Sequence, residues 1–417
     1  MNHQHILPPT IPCPEPDLTP AAIIERARAL RPLIREEAPA AEKRGYYSEA
    51  LHSEFLKASF YRILQPRRFG GHEFDIPTFF KVMVEISSGD PGIGWCLCLG
   101  SGHALQVGSY FSAEAQAKIF GPDGHFISPL GGTGTGPNCK AVPVEGGYRV
   151  SGSWRYCSGV PYSTHFMGLA HVPGVDGKPD KTVTVIVPKG GYKMLDDWGS
   201  ILGLRASGSN SVVIDGTVIP PNFVIETVMD ADFSDGTPGT RLHGNPMYGG
   251  AFLGFAAGEL VCSQVGAAKA ALEDYERIIR TTRPRYAQHM LKYEHHDWQR
   301  IYGLALSMTS AAEAVLIRSG ELYMEYCVAA AEGQAPFNLT KALQLQGLQH
   351  QAARLAWEAG LETFRAASST SAVDGQPMQR FFRDLATFKN NATHQPDFVA
   401  TRIAQATLGL PIKEYDL

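Results

Sequence analysis

The strongest constraint on the fold is a helical hydrophobic period that begins near Tyr248 and continues for some 160 residues. It divides into four alanine-rich, amphipathic segments, the last of them interrupted near Pro396: 248–280, 295–332, 337–366 and 377–408. Long helices with short connections favour an antiparallel bundle, in which each helix buries one apolar face against its neighbours. The sequence therefore predicts a C-terminal four-helix bundle.

Before the bundle, the sequence changes once from helical signals to strand signals. Thr19-Pro20 is typical of a helix start, with threonine as the N-cap and proline at the first helical position, and it leads into a helix predicted over Ala21–Leu30. Further on, Val142–Val144 and Tyr148–Val150 flank a Glu-Gly-Gly turn, which indicates a β-hairpin. The predicted class is α+β multidomain: an N-terminal helical domain over 17–125, a β-barrel-like domain over 126–235 and the bundle over 245–417.

Length and composition set limits on function. A chain of 417 residues exceeds one ordinary core, which favours several domains. With 37 basic and 41 acidic residues mixed along the chain, there is no basic stripe for nucleic acid. The apolar stretch 251–272 is broken by Glu259 and Lys269, so it predicts a buried helix and no membrane span. Seven scattered cysteines and the lack of a signal-peptide core favour reduced thiols in a cytoplasmic protein.

Several common site motifs are missing or weak. No Gly-x-Gly-x-x-Gly at a strand–helix junction and no phosphate-binding P-loop occurs, which disfavours a nucleotide held in either way. The glycine-rich run 131–136 is not followed by an amphipathic helix, and by spacing alone it is equally compatible with a flexible turn. His295-His296-Asp297 carries metal-ligand types, but adjacent histidines on a helix diverge by about 100°, so no metal is expected.

Five strings, in this order and spacing, resemble the acyl-CoA dehydrogenase fold, and most closely its flavin-dependent monooxygenase branch, the oxygenase components of two-component hydroxylases. They are Gly89–Trp95 with His103, Gly146–Gly159, Gly203–Ser209 followed by Val218-Ile219-Pro220, Gln379–Asp384, and His394. The similarity covers nearly the whole chain.

The choice between dehydrogenase and monooxygenase depends on one carboxylate. A dehydrogenase of this fold needs a base to remove the proton α to the thioester, in most members a glutamate shortly after the Arg-Asp pair. Here no Asp or Glu occurs between Asp384 and Asp397. Some members carry the glutamate on an earlier helix, so an FAD-dependent acyl-CoA dehydrogenase with a displaced glutamate stays as the alternative. A helical scaffold without flavin is a third hypothesis.

The resemblance assigns three catalytic residues. The flavin C4a-hydroperoxide of such enzymes must stay protonated and shielded from water. Ser158 matches the serine that holds the hydrogen on flavin N5. The competing interpretation is an ordinary serine in a turn, without a catalytic role. His103 and His394 match two histidines that exchange protons near neutral pH with substrate or peroxide, the competing interpretation being core histidines.

The resemblance also indicates the cofactor contacts. Ser207-Gly208-Ser209 stands where monooxygenases often have Thr-Gly-Ser, with a β-turn as an equal alternative. Arg283 begins a loose match to a string that reaches a neighbouring subunit's pyrophosphate in FAD-using members, so FADH2 and FMNH2 both remain open. The predicted flavin-binding residues are Ser128, Gly131, Thr133, Tyr156, Ser158 and Arg283.

These features imply a definite function. We expect a monooxygenase that takes reduced flavin from a separate NAD(P)H:flavin reductase and hydroxylates a small aromatic or heteroaromatic molecule. The excess of amphipathic helix over 248–366, with the habit of the fold, favours a homotetramer built through the bundle.

Overall fold

The computed structural model describes residues 10–132, 138–174, 179–226, 236–391 and 395–412. Six helices come first: α1 (Pro20–Arg44), α2 (Glu49–Lys57), α3 (Ile76–Ser87), α4 (Pro91–Gly102), α5 (Ala104–Tyr110) and α6 (Ala113–Phe120). Thr19 caps α1 as predicted, since its side chain accepts a hydrogen bond from the Ala22 amide at 3.2 Å. The helical signal read in the sequence ended at Leu30, but α1 continues through two prolines because its buried face repeats at helical spacing up to Ala41.

The middle of the chain forms one sheet. Its strands are β1 (Leu130–Gly131), β2 (Lys140–Val144), β3 (Gly147–Trp154), β4 (His165–Val172), β5 (Lys181–Pro188), β6 (Lys193–Met194), β7 (Val212–Ile219) and β8 (Val224–Glu226). They pair in the order β6-β7-β3-β2-β4-β5-β8, and β1 pairs with β4 in parallel. The predicted hairpin is confirmed: β2 and β3 are antiparallel, with Val144 opposite Gly147.

The last part is helical again: α7 (Pro238–His243), α8 (Leu253–Thr281), α9 (His296–Ala331), α10 (Leu339–Ala367), α11 (Pro377–Phe388) and α12 (Pro396–Thr407). The central helix is α8, which packs against α3, α4, α9, α10 and α11. It contains the long apolar stretch, and the buried helix expected there is confirmed. Among the described helices, α9 is long and apolar enough by length and composition to cross a membrane, but here it packs on α8 and α10 as a bundle helix.

A buried polar latch joins α11 to the first part of the chain. The Arg380 guanidinium forms an ion pair of 3.1 Å with Asp90, the residue that caps α4. The Asp384 carboxylate accepts a hydrogen bond of 2.5 Å from the Leu204 amide. Arg383 pairs with Glu42 of α1 at 2.8 Å. The Arg-Phe-Phe-Arg-Asp string therefore holds three parts of the fold together around α4, and α4 carries the site described next.

Candidate active site

Ser158 lies in the loop after β3 and is buried, with 6% of the residue exposed. The Trp95 indole N–H of α4 donates to the Ser158 Oγ at 2.9 Å. The next residue, Gly159, has φ +89°, and a Cβ there would lie 2.8 Å from the Gly100 amide nitrogen of α4. Glycine is required at 159 because only glycine tolerates both this backbone angle and this close approach. The Ser-Gly pair thus sets the serine hydroxyl directly against α4.

Two further serines continue a chain of hydrogen bonds from the Ser158 hydroxyl. The Ser158 and Ser209 Oγ atoms are 2.7 Å apart, and the Ser209 and Ser207 Oγ atoms are 2.6 Å apart. Because the indole nitrogen can only donate, Trp95 fixes one end of the chain and leaves the Ser158 hydrogen available for Ser209 or a ligand. The sequence left 207–209 open between a turn and a site, and the structure brings both serines into line with Ser158.

His103 sits just after the C-terminal end of α4 and is buried. Its Nδ1 lies 2.7 Å from the Ser128 carbonyl oxygen, and its Nε2 lies 3.6 Å from a carboxylate oxygen of Glu259 on α8. Burial lowers the pKa of His103, while the Glu259 carboxylate and the Ser128 carbonyl raise it, and the net shift is upward. Burial also raises the pKa of Glu259. The sequence marked Glu259 only as an interruption of an apolar stretch, and that interruption was the one signal of its role.

The segment that contains Ser128 and the loop that contains Ser158 meet on α4. Ser128 donates its backbone amide to the Gly100 carbonyl at 3.0 Å, and the same Gly100 faces Gly159. Trp95 and His103 are eight residues apart, which corresponds to about 12 Å along a helix axis. The serine chain and the histidine therefore lie toward opposite ends of one helix, with both loops converging between them.

The remaining predicted residues fall at different places. Gly131 belongs to β1, where a Cβ would lie 2.9 Å from the Phe166 ring, so close packing alone explains this glycine. Tyr156 is 59% exposed, has φ +62° and meets the Trp198 ring edge-on. Arg283 is exposed and donates to the Gln288 carbonyl at 3.1 Å.

Two of the predicted residues, Thr133 and His394, lie outside the described residues. The stretch that precedes His394 is anchored near Ser158, since the last residue of α11, Phe388, packs its ring edge-on against Trp95 with the centroids 6.0 Å apart. The predicted role of His394 stays a prediction.

The candidate metal ligands His295, His296 and Asp297 lie within 4.8 Å of one another, contrary to the divergence expected for two helical histidines. The reason is that His295 is the N-cap of α9, outside the helix proper, so its ring stacks on that of His296. Its Nδ1 accepts a hydrogen bond from the Asp297 amide at 3.3 Å, as an N-cap side chain does. The expectation of no metal stays a prediction.

Comparison with known proteins agrees with this geometry. The family model of the acyl-CoA dehydrogenase C-terminal domain matches residues 260–396. The chain is 26% identical over 400 residues to HsaA of Rhodococcus jostii, the oxygenase subunit of a flavin-dependent monooxygenase, with 94% of this chain and 99% of the relative covered.

Two further similarities also span the chain. It is 26% identical over 404 residues to the oxygenase component of an FADH2-dependent resorcinol hydroxylase from Rhizobium sp., covering 94% of this chain and 95% of the relative. The solved structure of XiaF from Streptomyces sp. in complex with FADH2 and glycerol superposes with a TM-score of 0.85 at 23% identity, covering 95% of this chain and 98% of that one. The resemblance inferred from the sequence is confirmed: the chain has the acyl-CoA dehydrogenase fold, and the relatives to which it is similar are oxygenase components of flavin-dependent monooxygenases.

Proposed function

We propose that this chain is the oxygenase component of a two-component flavin-dependent monooxygenase that hydroxylates a small aromatic or heteroaromatic molecule. When bound, reduced flavin supplies the electrons with which one oxygen atom of O2 is transferred to the substrate. The observation that carries the proposal is the hydroxyl chain on α4, from the Trp95 indole through Ser158 to Ser209. A separate NAD(P)H:flavin reductase would supply the reduced flavin.

The residues present fit a flavin ring. A flavin needs a fixed hydroxyl beside its N5 hydrogen and a surface for its flat ring. The Ser158 oxygen accepts from the Trp95 indole and shares one hydrogen bond with Ser209, so when Ser158 donates to Ser209 its second lone pair is left for a ligand. The exposed Tyr156 ring, two residues away, offers an aromatic surface at the same loop. Ser158 would hold the hydrogen at N5 and keep water from that atom.

Ser158 and His103, the two buried groups toward opposite ends of α4, would have separate roles. Ser158 would act on the flavin, and His103, toward the other end of α4, would exchange a proton with the substrate. His394, which follows α11 in the chain, would be a second proton-exchanging group. Gly131, Ser128 and Thr133 would border the flavin ring with backbone groups.

The flavin form depends on a second subunit. Arg283 is exposed and its neighbour Tyr286 is 72% exposed, so both are available to a facing chain. We infer that Arg283 binds the pyrophosphate of FADH2 held mainly by another copy. FMNH2 has no pyrophosphate, so the arginine would contribute little to its binding.

The bundle surface supports a homotetramer. Large apolar side chains of α9 and α10 are exposed although neighbouring residues are buried: Leu304, Leu306, Val328 and Leu361 are each 37–47% exposed. Exposed large apolar side chains on two packed bundle helices are available to a further protein–protein contact. None of the seven cysteines, all within the described residues, forms a disulfide, which is in keeping with the reducing cytoplasm that we propose as the location.

One observation bears on the alternative, an acyl-CoA dehydrogenase with a displaced glutamate. Glu259 is a buried carboxylate on α8, an earlier helix than the usual position. A dehydrogenase base must be free to face the substrate, whereas Glu259 faces His103. Two relatives that align over 94% of the chain are oxygenase components, so we retain the oxygenase as the proposed function.

The deciding experiment supplies FADH2 or FMNH2 from an unrelated NADH:flavin reductase, together with 18O2 and a panel of phenols and indoles. The proposed function predicts a product carrying one 18O atom, with NADH consumed in proportion. An enzyme that incorporates no 18O from any substrate, yet oxidises an acyl-CoA with a bound flavin, would establish the alternative.

A further inference from the structure

Glu259 and His103 form a pair of buried ionisable side chains at the contact between α4 and α8. His103 is 1% exposed and Glu259 is 4% exposed. Neither helix needs a charged residue at this contact, since the surroundings include the Phe252 and Phe255 rings. A carboxylate buried among aromatic rings is costly unless it acts with a partner.

The hydrogen bond to Ser128 determines which nitrogen of His103 carries a hydrogen. A carbonyl oxygen can only accept, so the 2.7 Å contact requires a hydrogen on Nδ1. The protonation of Nε2 then decides the behaviour of the ring. With a proton there, Nε2 is a donor; without one, it is a lone-pair acceptor.

Glu259 lies within ion-pair distance of that nitrogen. The separation of 3.6 Å between Nε2 and Oε1 is longer than a normal hydrogen bond, so a proton on Nε2 is held electrostatically and is still available to a ligand. The other carboxylate oxygen, Oε2, is buried and has no hydrogen-bond partner among the described residues.

The backbone of α4 makes room for this carboxylate. Gly102 is the last residue of the helix, and a Cβ on it would lie 2.4 Å from the Glu259 Oε2. Any other residue at 102 would push the carboxylate away. The fit between Gly102 and Glu259 shows that the carboxylate position is built into the helix contact.

We propose that Glu259 is the positioning residue of His103: its carboxylate keeps a proton on Nε2, so that the buried imidazole holds a proton that it can donate. The catalytic part of this inference rests on the proposed oxygenase function, whereas the shared proton is a property of the protein alone. Without Glu259, burial would leave a neutral ring whose Nε2 only accepts.

The direction of the pH dependence follows from the pair. The pKa of His103 is raised in the folded protein, so its stabilising effect is complete below the ordinary histidine pKa and is lost as the pH rises through the folded value. The other titratable groups at this contact are the thiols of Cys98 on α4 and Cys262 on α8. Burial raises the pKa of Cys98, which keeps that thiol neutral.

The first experiment measures urea unfolding of the flavin-free protein between pH 6.5 and 8.5. We expect the unfolding equilibrium constant of the wild type to increase with pH by up to about tenfold per unit for the one shared proton. Glu259→Gln should remove this dependence, and so should the double variant with His103→Gln. His103→Gln alone leaves the buried Glu259, whose pKa burial raises, without its partner and should therefore keep a proton in the folded state. Glu85→Gln, which removes another buried glutamate from the same core, should keep the pH dependence.

An unchanged dependence in Glu259→Gln would overturn the shared proton. Should Glu259→Gln not fold, the wild type and the double variant decide: a wild type without the dependence, or a double variant that keeps it, would overturn the shared proton. The second experiment measures product formed per NADH with reduced flavin supplied. We expect product per NADH to fall at least about tenfold in Glu259→Gln and to recover in part in Glu259→Asp. The control Glu85→Gln should form as much product per NADH as the wild type.

Full coupling in folded Glu259→Gln at every pH would overturn the positioning role while leaving the oxygenase function intact. The unfolding experiment can confirm the shared proton even if the wild type hydroxylates no substrate. That combination would contradict the proposed function and the catalytic part of this inference, but the proton shared by His103 and Glu259 would stand.

Discussion

Replacing Ser158 by alanine removes a single oxygen atom with two buried partners. The Trp95 indole N–H, on a residue that is 8% exposed, loses its acceptor at 2.9 Å. Ser209 loses its partner at 2.7 Å but keeps Ser207. The indole is thus the group left without a partner.

The size of the effect follows from these contacts. An unsatisfied buried donor costs about 1–3 kcal/mol, so the free energy of unfolding should fall by that amount. If Ser158 also holds the N5 hydrogen of the flavin, the same range of hydrogen-bond energy corresponds to about a 5- to 150-fold change in rate. We therefore expect H2O2 release per NADH to rise and product per NADH to fall in Ser158→Ala.

The assay supplies reduced flavin continuously and measures product and H2O2 together. Ser163→Ala is the matched control: this serine is also buried, and its hydroxyl lies 2.7 Å from both the Val160 carbonyl and the Tyr192 hydroxyl, away from Trp95. It should lose comparable stability without losing coupling. The reasoning fails if Ser158→Ala binds flavin and couples like the wild type, or if Ser163→Ala uncouples as strongly.

Three other outcomes are expected. Asp90→Ala should lower the free energy of unfolding by about 3–5 kcal/mol in urea titration, because it leaves the buried Arg380 guanidinium unpaired and removes the cap of α4; a loss below 1 kcal/mol would contradict the latch. Arg283→Ala should weaken FADH2 binding about tenfold in anaerobic titration and leave FMNH2 binding nearly unchanged, so equal losses would exclude a pyrophosphate contact. Light scattering should give a tetramer at micromolar concentration and a smaller species for Leu304→Glu, and a monomeric wild type would refute the bundle interface.

Local patterns were sufficient for most of the fold. The helical period located α8, α9, α10 and the interrupted last segment. Short valine-rich runs on either side of the Glu-Gly-Gly turn located the β2–β3 hairpin. These signals are local because a residue three or four positions away on a helix, or two away on a strand, shares its face. The end of α1 was missed because Pro32 and Pro39 argue locally for a stop, while packing of Ile34, Ala38 and Ala41 favours continuation.

For the site, the sequence by itself singled out Ser158 and His103 and, through resemblance, the flavin chemistry. Only the tertiary structure decided which groups face them. Glu259 is 156 positions from His103, and Ser209 is 51 positions from Ser158, so no local period relates them. Their partners are set by the packing of α4 on α8 and by the close approach of two glycines, Gly102 and Gly159, to what lies opposite. Hydrophobic periodicity specifies which face of an element is buried, but the hydrogen-bond partner of a buried polar group depends on the element that arrives there from elsewhere in the chain.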